Sequence, residues 1–184
     1  MKVNAPPAKT MEADKIGEIR VGYPDCCFSV GNNWFRCRAA AIIIEDNSFL
    51  VIKTKSSPHF YTVGGGVHMN ERTEECIVRE VREETGADYE IDRLAVICEN
   101  FFEGQEIGLK DKKCHVIEFY YLMKSRGSKD LHCQSCGFNH EEEKLYWIPL
   151  DELAETNVKP EFLRTRMKEI LESRKILHVI NDEC

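Results

Sequence analysis

The segment from residue 65 to residue 87, GGVHMNERTEECIVREVREETGA, constrains the fold more tightly than any other stretch of the chain. It opens on glycines and closes on Gly86. Between them Cys76, Ile77 and Val81, with the methyl of Thr85, fall on one face of a helix. Thr73 is placed to cap that helix, and Glu74 and Glu75 occupy the first turn, where the macrodipole favours them. Gly86 supplies the left-handed residue that ends it. The spacing predicts a helix of about 12 residues with firm ends. Its last turn is badly built for a surface helix. Glu80, Glu83 and Glu84 stand at i, i+3 and i+4 and share a face. Like charges four apart cost about 0.2–0.5 kcal/mol, and each carboxylate near the C-terminus opposes the macrodipole by roughly 0.3–1 kcal/mol. Divalent cations reverse both penalties, because hard metals take clustered oxygen ligands. The other reading of the same charges is a solvated helix laced by Glu75–Arg79 and Arg79–Glu83 pairs.

Around this segment the period changes from helical to alternating. Residues 37–45 and 49–54 are β-branched and apolar about the polar turn Glu45-Asp46-Asn47-Ser48, a hairpin signature. Phe60 to Val63 forms a short strand running into Gly64-Gly65-Gly66. Residues 89–103 and 114–123 read as two longer strands and 145–150 as another. Asp151 begins a short helix, and Pro160 opens a last amphipathic helix to about Ser173. The order β-β-β-α-β-β-β-α-α predicts an α/β domain with a mixed sheet between helices. Residues 1–26, with Pro6-Pro7 and no hydrophobic period, are expected to be a loosely ordered arm, and 27–184 the folded domain.

With 184 residues the chain is long enough for one self-sufficient core. A net charge of −7 argues against a broad nucleic-acid or anionic-membrane surface, which needs a field of Lys and Arg. No apolar run reaches the roughly 18–20 residues of a membrane span, and the start carries no apolar leader, so the expected location is cytoplasmic. The nine cysteines are an odd number scattered through strand-like and helical segments, which predicts reduced thiols, with Cys76 and Cys98 as small core residues. His132, Cys133, Cys136 and His140 form a compact set of soft ligands. They allow a structural Zn2+ site at Cys133/Cys136, a redox pair or an ordinary loop.

Gly65, Glu71, Arg79, Glu80, Val81, Glu83, Glu84, Gly86 and Ala87 match every fixed position of the Nudix box. The chain therefore resembles the Nudix hydrolases, most of all small bacterial ones. A likeness of general pattern extends from about residue 28 to the C-terminus. The resemblance implies the Nudix α/β/α sandwich and hydrolysis of a nucleoside diphosphate linked to another moiety. It also implies that Glu80, Glu83 and Glu84, with the main-chain carbonyl of Gly64 or a neighbouring glycine, hold Mg2+ or Mn2+. Glu71 would stabilise the loop, and homodimers are common in the family.

Several roles remain open between readings. Arg79 cannot ligate a cation; it either holds a carboxylate such as Glu71 or a ligand glutamate, or makes an ordinary surface pair. The general base is a box glutamate, first of all Glu83, or a glutamate outside the box. Glu118 stands alone in the apolar strand HVIEFYYLM on the face of Val116 and Tyr120, where it is a base or a solvent-facing edge residue. Glu103 and the run Glu141-Glu142-Glu143 are further candidates. Phe60 and Val63 stand where many relatives carry Trp-x-x-Pro, which puts substrate geometry in question. There is no proline about 15 residues past the box, as ADP-ribose enzymes usually have, and no tyrosine just beyond, as in diadenosine polyphosphate enzymes. The aromatic-proline array of NADH enzymes is also missing. A nucleoside triphosphate, possibly modified, is left as the expected substrate. Arg36, Arg38, Phe60, Phe101 and Phe102 are placed to hold a phosphate or stack on a base, or else are core and surface filler, while Gly65 permits close approach of the backbone. A nucleotide-binding sensor without turnover and a zinc-stabilised adaptor are the competing functions.

Overall fold

The structure is a computed structural model and describes residues 24–105, 108–132 and 142–183. The Cys133/Cys136 pair and most of the expected arm lie outside the described residues. Five strands precede the first helix: β1 (Cys27–Val30), β2 (Asn33–Ile42), β3 (Ile44–Glu45), β4 (Ser48–Thr54) and β5 (Gly64–Gly66). After α1 (Thr73–Thr85) come β6 (Ile91–Glu103), β7 (Lys113–Met123) and β8 (Glu143–Pro149). A short 3-10 turn (Leu153–Glu155), α2 (Phe162–Thr165), α3 (Met167–Glu172) and β9 (Leu177–Asp182) complete the chain.

The main sheet runs β1-β2-β7-β6-β9, with β5 paired to β2 beyond the end of β1; β3-β4-β8 form a second sheet. Strands β2 and β7 pair in parallel, as do β6 and β9, whereas β6 and β7 are antiparallel, so the sheet is mixed as expected. Alternation divides the main sheet into two apolar faces. Ala39 and Ala41 of β2 and Tyr121 and Met123 of β7 pack against Cys76, Ile77 and Val81 of α1. Ala40, Ile42, Tyr120, Val96 and Cys98 turn the other way, onto Phe162, Leu163, Met167 and Ile170 of α2 and α3. This is the α/β/α sandwich, with helices on both faces. No helix among the described residues is long and apolar enough to cross a membrane.

The local forecasts differ from the structure at a few places. Arg72, not Thr73, is the N-cap of α1, and the Glu75 carboxylate accepts a hydrogen bond from the Arg72 N–H at 3.1 Å. Thr73 instead shares a 2.7 Å hydrogen bond with the Tyr121 hydroxyl, so a tertiary partner takes the group that capping would have used. Gly86 is left-handed at φ 67°, closing α1 as its spacing predicts. Phe60 and Tyr61 make only isolated bridges, to Val158 and Ile52, and the ladder forms at the glycines. The last helix is split at Arg166, whose φ of −121° is not helical. The helix expected at Asp151 is only the 3-10 turn. Strands β1 and β9, which the pattern did not predict, flank the sheet. Only Val179 of β9 is buried, so that strand is held by backbone pairing to β6 rather than by an apolar stripe.

Candidate active site

Strand β5 consists of three glycines because its flanks leave no room for side chains. A Cβ on Gly64, whose φ is +134°, would collide with the Ala39 carbonyl, and one on Gly65 with the carboxylate of Glu80. The bare strand lets Glu80 and Glu84, carried by α1, reach a cleft of about 680 Å3 that the opposite face of β2 also lines. Glu84 is buried and accepts a 2.8 Å hydrogen bond from the Gly64 N–H. Burial pushes its pKa well above the ordinary carboxylate range, and the nearby charge of Glu143 raises it further. Burial also raises Glu80, with a contribution from Glu83, against the lowering influence of Arg79.

Arg79 works on the loop side of the same helix. Its guanidinium donates to both oxygens of Glu71, Nε at 2.8 Å and Nη2 at 2.9 Å, and Nη2 also reaches the Gly66 carbonyl at 3.3 Å. The His68 N–H adds a 2.9 Å bond to Glu71. Hydrogen bonds from Arg79, with help from His68, outweigh desolvation and bring the Glu71 pKa down to about 2. The Nη1 of Arg79 donates to Glu80 and, at 3.4 Å, to Glu83. This fork ties the loop before α1 to the last turns of the helix.

On the sheet, Arg38 is half-buried and both of its terminal nitrogens are engaged. It donates to the Thr62 hydroxyl at 3.1 Å, the Thr62 carbonyl at 2.7 Å, the Gly64 carbonyl at 3.1 Å and Glu118 at 3.2 Å. Glu118 is 4% exposed on a central strand, so its second oxygen faces the interior too, accepting from Asn100 at 3.1 Å. Asn100 in turn accepts from Asn181 at 2.8 Å, which links β2, β7, β6 and β9 in one polar chain.

The cleft thus gathers Glu80, Glu84, Glu118, Glu143, Arg38 and the glycines, and Arg36 and Glu103 also line it. Arg36 is paired with Asp25 at 3.0 Å. Glu83, Phe60 and Phe101 were singled out from the sequence and do not line the cleft. Glu83 projects outward, with its side chain 61% exposed. Phe60 packs on Tyr146 and under the Lys53 ammonium. Glu143, the last of an acidic run that reads as solvated, is 7% exposed at the start of β8 and accepts from Tyr61 at 2.9 Å. Trp34, Asn100 and Asn181 line the cleft and were not singled out. The signal for Trp34 was its alternation with Arg36 and Arg38 on β2; Asn181 has no such signal, because it depends on the unpredicted β9.

The chemistry of this donor set suits a hard divalent cation. Glu80 and Glu84 present oxygen only, both are penalised for carrying charge without enough compensation, and Glu143 adds like charge beside them. Their arrangement is not a closed cage. Among the described residues no three His, Cys, Asp or Glu side chains converge closely enough to hold a metal, Arg79 sits on Glu80, and Arg38 takes the Gly64 carbonyl. The residues fit such an ion once at least one side chain shifts.

Known proteins share both the pattern and the fold. A curated ADP-ribose pyrophosphatase of Methanocaldococcus jannaschii is 32% identical over 91 residues, covering 48% of this chain and 50% of that protein; the chain thus spans about half the length of the curated relative it matches. A MutT protein from Methanosarcina mazei Go1 has a TM-score of 0.58 at 22% identity, over 80% of this chain and 100% of that one. A MutT protein from Bacillus halodurans gives 0.56 at 19%, over 80% and 91%. At these identities the structural likeness speaks for the fold. The model of the NUDIX domain matches residues 35–172, three quarters of the chain, and the protein belongs to the NUDIX family.

Proposed function

We propose that the chain is a metal-dependent pyrophosphohydrolase cleaving a nucleoside diphosphate joined to a further group, with a nucleoside triphosphate, modified or not, as the first substrate to test. The observation that carries this reading is the pair of charge-penalised carboxylates, Glu84 buried and Glu80 half-buried, beside a glycine strand in a cleft. A bound Mg2+ or Mn2+ would lower the pKa of an attacking water and neutralise phosphate oxygens. Glu80 and Glu84 would hold the ion. Glu83 would join them by leaving its contact with Arg79, an exchange of little cost at so exposed a side chain. Arg79, fixed by Glu71, orients the carboxylates of the turn. Glu143, buried at the cleft and close enough for its charge to act on Glu84, is placed to accept a proton from an attacking water. Glu118 is less available for that role because Arg38 and Asn100 already hold both of its oxygens.

ADP-ribose is the second substrate to test, favoured by the curated relative from Methanocaldococcus jannaschii. The experiment is a panel of nucleoside triphosphates and ADP-ribose with Mg2+ or Mn2+, products separated by chromatography, repeated with Glu84→Gln. Turnover that Glu84→Gln abolishes supports the reading. Tight binding with no turnover of any compound replaces it with a nucleotide sensor.

A further inference from the structure

We infer that Trp34, Phe102 and Asn181 form a nucleobase-binding platform at the end of the cleft remote from Glu80 and Glu84. The inference rests on the proposed nucleotide substrate and deepens it. The strand register carries the argument. Trp34 and Phe102 both stand opposite Cys114, one on each side, so their side chains share a row on the cleft face. Cys114 is 2% exposed and small, which leaves the two rings flanking a shallow floor two strand spacings wide, about 9–10 Å. Both rings line the cleft. The neighbouring aromatics are spent elsewhere: Phe101 stacks on His115 at 4.4 Å, and Phe35 lies against Phe28 and His115. Flat rings beside a cleft offer stacking to any base.

The next row inward holds Arg36, which is paired with Asp25, then Val116, Asn100 and Asn181. Its hydrogen bonds run one way. Asn100 donates to Glu118, and Asn181 donates to Asn100 at 2.8 Å and to Glu183 at 3.3 Å. With its amino group directed to these partners, Asn181 offers its carbonyl oxygen as an acceptor, which suits the N–H donors on the edge of a base. The row after that is Arg38 and Glu118, beside the glycines and the acidic turn. From Trp34 to Arg38 is four residues, about 13 Å along a strand, which matches the reach of a nucleoside diphosphate from its base to its second phosphate. One end of the cleft is aromatic with an amide acceptor, the other acidic, and the spacing fits one molecule lying across both.

The chain has two tryptophans, and Trp147, on β8, donates to the Lys129 carbonyl and does not line the cleft. The full chain carrying Trp147→Phe therefore reports on Trp34 alone. Titration with AMP, GMP, CMP and UMP is expected to change Trp34 emission, and ribose 5-phosphate at the same concentrations is expected to leave it unchanged. On whichever nucleotide the panel identifies, Trp34→Ala should raise KM roughly 5- to 100-fold with kcat little altered, Trp34→Phe should recover most of the loss, and Asn181→Ala should raise KM by a smaller factor. Equal responses to ribose 5-phosphate and the nucleotides, or no response to any, together with an unchanged KM for Trp34→Ala, overturn the platform while leaving hydrolysis intact. A base-dependent emission change without turnover keeps the platform and discards the hydrolytic reading.

Discussion

Glu71 and Glu84 belong to the same 23-residue motif, yet the fold treats them in opposite ways. Glu71 sits in the loop under a two-pronged arginine and a backbone N–H, and its pKa falls to about 2. Glu84 is buried at the end of the helix, and desolvation, helped by the charge of Glu143 and opposed by one backbone donor, raises its pKa. The first carboxylate is electrostatically satisfied and stabilises the fold. The second is left short of positive charge, and a cation held there, as proposed, would gain what the fold has withheld. The same residue type is thus lowered at one position by the Arg79 fork and raised at the other by burial, which fits a fastening and a proposed chemical group respectively.

The largest effect that tests this contrast is expected from Glu84→Gln. Turnover should fall about 10²- to 10³-fold, the scale at which one electrostatic group at a reacting centre counts. The melting temperature at pH 7 without divalent ions should rise, because the variant removes a buried charge. Loss of both activity and stability would make Glu84 a structural residue like Glu71. Next, Arg79→Ala leaves Glu71 without its partner and should cost about 2–3 kcal/mol in denaturant unfolding, a figure reduced from the fully buried case because both groups are partly solvated.

The same pair gives opposite responses to pH. The Glu71 pKa is lower in the folded state, so its contribution, about 2–3 kcal/mol, is present above roughly pH 4.5 and lost as the pH falls toward 2. The Glu84 pKa is higher in the folded state, so its favourable contribution is complete below the ordinary carboxylate pKa and lost as pH rises through the folded value. Melting curves without metal should therefore hold or rise from pH 7 to pH 5 and fall below about pH 4.5, and Glu84→Gln should flatten only the upper part. A smaller effect is expected of Gly65→Ala, whose Cβ displaces the Glu80 carboxylate: roughly 10-fold in turnover, since misplacement of a reacting group costs less than its removal. The smallest is Glu83→Gln, under about 10-fold, with Glu80 and Glu84 doing most of the holding. A loss equal to that of Glu84→Gln would put Glu83 on the same footing as those two glutamates.

The sequence alone was enough for features whose physics is local. The helix from Thr73 to Thr85, its inward face of Cys76, Ile77 and Val81, and its left-handed stop at Gly86 follow from spacing within a few turns. The mixed sheet between helices follows from alternation and element order. Local spacing also brought Glu80, Glu83 and Glu84 to one side of a helix, but it is blind to which of them meets solvent. That was decided by strand β5, whose glycines admit Glu80 and Glu84 to the cleft, and by Arg79, which draws Glu83 outward. Glu118 was chosen for its isolation in an apolar strand, and only the parallel pairing of β2 with β7 supplies the Arg38 that holds it. Strand β9 and its Asn181 had almost no pattern of their own, because backbone pairing to β6 holds them in place. Periodicity records what a segment needs from its near neighbours; contacts across 80 residues of chain are set by the closure of the sheet, and with them the charge on each carboxylate.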